Sequence, residues 1–96
     1  MFTMTVEKKI KLMDKLLENT QYQLIDFIST KEFNKKALEE NPQSHDKIVP
    51  LILTIESDIR QTILFIDFIE NAIKELEKKE PNEVLIILED KTNEKT

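Results

Sequence analysis

His45 is the only histidine in this sequence, and so the only side chain whose ordinary pKa lies close to neutrality. Nucleophilic catalysis by Ser29, Ser44 or Ser57 needs a general base within hydrogen-bond reach, and His45 is the one candidate. It falls in the run Asn41-Pro42-Gln43-Ser44-His45-Asp46, where proline, amide and capping residues mark a turn. The three serines read better as caps or surface residues. A zinc site draws on several His or Cys ligands, and a di-iron site inside a helical bundle on Glu-x-x-His motifs from facing helices. The chain has no cysteine and neither pattern. Paired carboxylates do acid–base work where a cleft raises their pKa. Asp58, Asp67 and Glu70, the acids nearest an apolar face, are expected at its rim beside Arg60 or Lys74. Tyr22, the single tyrosine, adds no motif. The residues therefore predict no catalytic, cofactor-binding or metal site, and a protein that is not an enzyme.

The elements that would position any site are legible from apolar spacing. Val6, Ile10, Met13, Leu17, Thr20, Leu24 and Phe27 follow one another in steps of three and four. So do Ile48, Ile52, Ile55, Ile59, Thr62, Ile66, Ile69, Ile73 and Leu76. At 3.6 residues per turn such steps keep side chains on one side of an α-helix. The expected class is all-α: helix A over 5–28, a short helix B over 30–40, a long helix C over 46–80, and a short segment over 82–90. Thr3 or Thr5 can cap helix A, with Glu7 in its first turn. Ser29-Thr30-Lys31-Glu32 has the spacing of a capping box and predicts a break before helix B, whose apolar side is Phe33, Ala37 and Leu38. The rival is one continuous helix from Thr5 to Glu40. Pro50 falls close to the first turn of helix C, and Pro81 ends that helix. Val84-Leu85-Ile86-Ile87-Leu88 suits a strand by β-branching, but a lone strand leaves its backbone unpaired, so a short helix is the preferred reading. Residues 1–90 form one helical domain, and Lys91–Thr96 a disordered polar tail.

The two stripes are near mirror images about residue 41, which predicts an antiparallel hairpin with the two threonines at mid-length. The hairpin core is Ile10, Met13, Leu17, Thr20, Leu24 and Phe27 from helix A, with Ile52, Ile55, Ile59, Thr62, Ile66, Ile69 and Ile73 from helix C. The threonine hydroxyls are expected to bond their own helix backbones. Helix C also carries Ile63, Leu64, Phe65 and Phe68, so it is apolar over most of its circumference and needs cover on more than one side. A rod of about 50 Å, at 1.5 Å per residue, outruns a compact chain of this length, whose radius of gyration is about 12 Å. A second copy is the simplest cover and predicts a dimeric four-helix bundle, with Leu64, Phe65, Phe68 and Ala72 as the candidate interface. Glu7-Lys11, Glu32-Lys36, Glu56-Arg60, Glu70-Lys74 and Glu75-Lys79 stand at i, i+4 as expected of solvated faces.

Composition narrows the function classes. Glycine is absent, against folds that need tight hairpins or phosphate-cradling loops. Charged residues are 34% of the chain with a net charge of -5, which disfavours a nucleic-acid backbone as partner. The most apolar window, Ile48–Ile69, holds Pro50, Glu56, Asp58, Arg60 and Asp67, so no transmembrane segment is expected. The N-terminus lacks the apolar core of a signal peptide, and a cytoplasmic location is the default. In size and class alone, without a shared motif, the chain resembles bacteriocin immunity proteins and small accessory proteins of phages and plasmids. The leading expectation is a non-enzymatic protein–protein interaction or regulatory protein that acts by occupancy as a homodimer. The alternatives are a phage- or plasmid-encoded inhibitor of a nucleic-acid-binding host enzyme, and an immunity-like protein.

Overall fold

A computed structural model describes residues 2–88. Strand β1 (Phe2–Thr5) leads into helix α1 (Val6–Glu40), a 3-10 turn (Pro42–Ser44), helix α2 (His45–Glu77) and strand β2 (Val84–Leu88). The molecule is mostly helical, with two long helices of 35 and 33 residues. The tail expected over Lys91–Thr96 lies outside the described residues.

Helix α1 begins where its free amides find partners. The Thr5 side chain accepts from the Lys8 backbone N–H at 3.2 Å. The Val6 and Glu7 N–H groups donate to the carbonyls of Glu83 and Pro81, at 2.8 and 2.9 Å. Three first-turn donors are thus satisfied, two of them by the far end of the chain.

The expected break between helices A and B does not occur. Residues 29–32 lie inside α1, which is one helix from Val6 to Glu40. A capping box matters only where amides lose their i−4 carbonyls, and no proline or glycine interrupts the ladder here. Thr30 instead donates its hydroxyl proton to the Asp26 carbonyl at 2.8 Å, and Asn34 donates its side-chain amide to the Thr30 carbonyl at 2.8 Å. Lys31 reaches across to Glu56 at 3.0 Å and ties this stretch to α2.

The helix ends follow local rules. Asn41 caps α1, its N–H donating to the Ala37 carbonyl at 2.9 Å, and the Ser44 N–H closes the turn on the Asn41 carbonyl at 2.9 Å. Helix α2 starts at His45, so Pro50 is its sixth residue and withholds an amide from the Asp46 carbonyl. It ends at Glu77, three residues short of the expected Glu80. The Pro81 ring clashes with a helical carbonyl four residues back and disfavours helix at the residue before it.

Residues 84–88 form a strand, which corrects the helical reading of 82–90. The missing partner is the N-terminus: Thr5 pairs with Val84, Met4 with Leu85, Thr3 with Ile86 and Phe2 with Leu88, antiparallel, with an irregularity between Phe2 and Thr3. Once Phe2–Thr5 supplies a ladder, β-branching decides the conformation.

Helices α1 and α2 pack against each other. Val6 meets the connection after α2, Thr20 and Thr62 line one groove, and Lys31 meets Glu56. Few side chains are fully enclosed. Val6 and Ile69 have no exposed surface, Ile73 is buried, and so are Thr20 and Thr62. Ile10, Met13, Leu17, Leu24 and Phe27 of α1, and Ile52, Ile55, Ile59 and Ile66 of α2, are half-buried. The radius of gyration is 19.8 Å and the smallest extent 14 Å, so the molecule is a thin, elongated layer. Ile69→Ala should lower the unfolding free energy by about 2–5 kcal/mol. Leu53→Ala, on an exposed site, should stay within about 0.5 kcal/mol. Urea midpoints at constant m-value check both.

Candidate interaction face

The α2 flank from Gln61 to Ala72 is the most distinctive surface of the molecule. Gln61, Leu64, Phe65, Phe68 and Ala72 follow at helical spacing along one side, with no charged residue among them. Leu64 is 69% exposed, Phe68 64% and Phe65 44%; Ala72 is half-buried. Three large apolar side chains on one flank of one helix form a continuous exposed patch rather than scattered surface residues. The Phe65 and Phe68 rings stack with centroids 6.4 Å apart and planes at 9°, so one ring holds the other in place.

Beside this flank runs a groove of about 340 Å³ between the helices, lined by Thr20, Gln23, Phe27, Asp58, Gln61, Thr62 and Phe65. Both helices contribute a threonine, Thr20 and Thr62, to its lining. Each hydroxyl is spent locally: Thr20 donates to the Leu16 carbonyl and Thr62 to the Asp58 carbonyl, both at 2.7 Å. The groove thus presents two ring edges, two side-chain amides and one carboxylate, without a free hydroxyl at its base.

A second contact between the helices is the Lys31–Glu56 pair. Lys31 Nζ donates to Glu56 Oε2 at 3.0 Å, with both side chains partly buried. That hydrogen bond and the lysine charge hold the Glu56 carboxyl below its ordinary value of 4.5. Spacing alone paired Glu56 with Arg60, four residues on. The cross-helix lysine engages it instead, and periodicity carries no signal for such a contact. At the α2 end, Glu75 bonds Lys78 at 3.0 Å and Lys79 bonds Glu83 at 3.5 Å, so the predicted Glu75–Lys79 pair is also redistributed. Glu7 and Lys11 do meet, at 3.5 Å.

The remaining chemical candidates stand apart. His45 is exposed at the first residue of α2, its Nδ1 3.5 Å from an Asp46 carboxylate oxygen. Asp58 lines the groove, whereas Asp67 and Glu70 are exposed. Among the described residues no three His, Asp or Glu side chains gather as a metal site, and no helix is long and apolar enough to cross a membrane. The element that sequence reading missed is the ribbon's N-terminal strand, whose only signal was Phe-Thr-Met-Thr ahead of the helix cap.

A carboxylate with a depressed pKa stabilises the fold above its ordinary titration range and loses that contribution as pH falls through the lowered value. Glu56→Gln should therefore be less stable than the parent at pH 7. The gap should shrink on acidification from pH 5 to pH 3, as denaturant titrations at each pH would show; a gap independent of pH would mean that the pair contributes nothing. Comparison of the chain with protein-family models, with curated proteins and with solved structures finds no match in any of the three.

Proposed function

We propose that this chain is a small non-enzymatic interaction protein: an antiparallel helical hairpin that pairs with a second copy in a four-helix arrangement and acts in the cytoplasm by occupying a partner protein. Its working surface is the α2 flank of Leu64, Phe65, Phe68 and Ala72. One observation carries the reading, the surplus of exposed surface. The accessible area is 7528 Å². Residues 89–96 contribute at most about 1,400 Å² of this, the value for free chain, which leaves about 6,100 Å² where a compact remainder would expose about 5,400 Å². The excess, roughly 700 Å², is close to the about 800 Å² that each partner buries in an interface of standard size. The uncharged stacked rings at Phe65 and Phe68 supply the kind of aromatic anchor on which such interfaces rest.

Light scattering at micromolar concentration should return twice the chain mass of 11.4 kDa. The Leu64→Glu/Phe68→Glu variant should return a single chain mass while keeping its helical circular dichroism, because both residues are exposed in the isolated chain. A monomeric parent, or a variant that stays dimeric, would overturn this reading.

A further inference from the structure

The groove between α1 and α2 carries a chemistry that the apolar flank beside it lacks. Its lining includes one carboxylate, Asp58, two carboxamides, Gln23 and Gln61, and two aromatic rings, Phe27 and Phe65, with no lysine or arginine. At about 340 Å³ it has the size of a small binding pocket, and a few polar groups among apolar walls are the usual make-up of one. Asp58 is half-buried, yet among the described residues no basic side chain lies within ion-pair distance of it. Arg60 stands two residues on, which on a helix is a different side. Among the described residues the Gln23 and Gln61 side-chain amides likewise have no hydrogen-bond partner. The threonine hydroxyls are bonded within their own helices, so the carboxylate and the two amides are the polar groups left to a ligand. The groove is also remote from the ribbon: Asp58 lies about 28 Å along α2 from its Glu77 end, at 1.5 Å per residue.

We propose that this groove receives an arginine side chain of a partner protein, its guanidinium bonded to the Asp58 carboxylate and stacked on a phenylalanine ring. The inference rests on the reading that the molecule acts by occupying a partner protein, and it names what that partner presents; it does not require the homodimer. A carboxylate and two amide carbonyls make a set of acceptors. A guanidinium answers them with five donors in a planar fork and no acceptor of its own. Its weakly hydrated faces stack on aromatic rings, whose π-systems attract a cation. An ammonium is compact and strongly hydrated, so it uses the carboxylate but gains less from the rings. An apolar side chain seated here would cover Asp58 and leave it unpaired, at a desolvation cost. Phe65 belongs to the groove and the flank alike, and its ring is held by Phe68 at 6.4 Å. Asp58, Gln61, Phe65 and Phe68 follow in steps of three and four, which sets the charge about two turns of helix before the stacked rings. A partner segment that fills both therefore carries an arginine roughly 10 Å from the apolar side chain it lays on Phe68.

The side-chain amide resonances of Gln23 and Gln61 report on the groove directly. Titrating the full chain with Nα-acetyl-arginine amide at constant ionic strength should shift both signals saturably, with a dissociation constant of roughly millimolar order. Nα-acetyl-citrulline amide, which has nearly the same shape without the charge, should bind about tenfold more weakly or worse, and Nα-acetyl-lysine amide should also bind more weakly than arginine. Asp58→Asn should weaken the arginine probe by about tenfold or more at unchanged helical circular dichroism. Asp67→Asn removes an exposed acid outside the groove and should leave the constant unchanged. Absence of a saturable shift, equal binding of the neutral probe, or equal loss in the two aspartate variants would overturn the proposal. A lysine probe that binds as tightly as arginine would overturn the assignment to a guanidinium. Should the arginine probe instead split a dimer into single chains in light scattering, the groove belongs to the contact between copies and the proposal falls. A parent that is monomeric and binds the probe removes the homodimer and supports the arginine site.

Discussion

A layer made of two helices has only one inner surface, and everything else about this molecule follows from that shortage. Each helix buries one stripe against the other, yet a stripe sees a neighbour on one side and solvent at both edges. The isoleucines along α2 and the leucines along α1 are therefore mostly half-buried, and full enclosure is reached at Val6 and Ile69, with Ile73 close to it. The two buried threonines belong to the same constraint. A small side chain at mid-length on each helix lets the backbones approach, and the hydroxyl is satisfied within its own helix at 2.7 Å. Burial in such a layer is limited by geometry rather than by composition, since 40% of the chain is hydrophobic. The interaction role proposed above draws on the hydrophobic surface that the fold leaves exposed.

The open end of the layer is secured differently from the closed end. At the closed end the turn at Pro42–Ser44 is local, with bonds between residues three or four apart. At the open end the bonds join residues near opposite ends of the sequence: Val6 to Glu83, Glu7 to Pro81, and the ladder from Thr5–Val84 to Phe2–Leu88. Closing a loop of that length carries an entropy cost before any contact compensates it. The ribbon end is thus the part of the molecule whose order depends on the rest being formed. Thr5 links the two regimes, since it is the last residue of β1 and its hydroxyl also caps α1.

Local spacing made the helical stripes, the turn and the stop at Pro81 legible, because each is written within a few residues. Contacts between distant segments were not. Ser29-Thr30-Lys31-Glu32 is a sound helix-start signal taken alone, and it loses because Lys31 has a partner on the other helix and the ladder continues through it. Val84–Leu88 was ambiguous for the same reason: a five-residue apolar run takes its conformation from what lies beside it, and here that is a strand eighty residues earlier. Spacing offered Glu56 only Arg60, and the fold brings Lys31 to it instead. The residues of the candidate face were nameable from helical spacing, since Leu64, Phe65 and Phe68 lie off the inner stripe. That they stack, and that a groove floored by Thr20 and Thr62 runs beside them, depended on packing.

Charge placement bears on what kind of contact the α2 flank can make. The chain is acidic, but its lysines are interleaved with its acids, so the field beyond the surface is small and decays within about 8 Å at physiological salt. Between Gln61 and Ala72 the flank itself carries no charge, which means that a partner seated there meets no desolvated ion and forms no ion pair at the centre of the contact. Affinity then has to come from apolar burial, and specificity from shape: two rings held 6.4 Å apart, a leucine beside them, and the small side chain of Ala72 one turn on. A partner that lacks the complementary ridge gains little, because no long-range attraction compensates for a poor fit. The proposed pairing with a second copy would have to meet that demand by setting this flank against itself across a twofold axis.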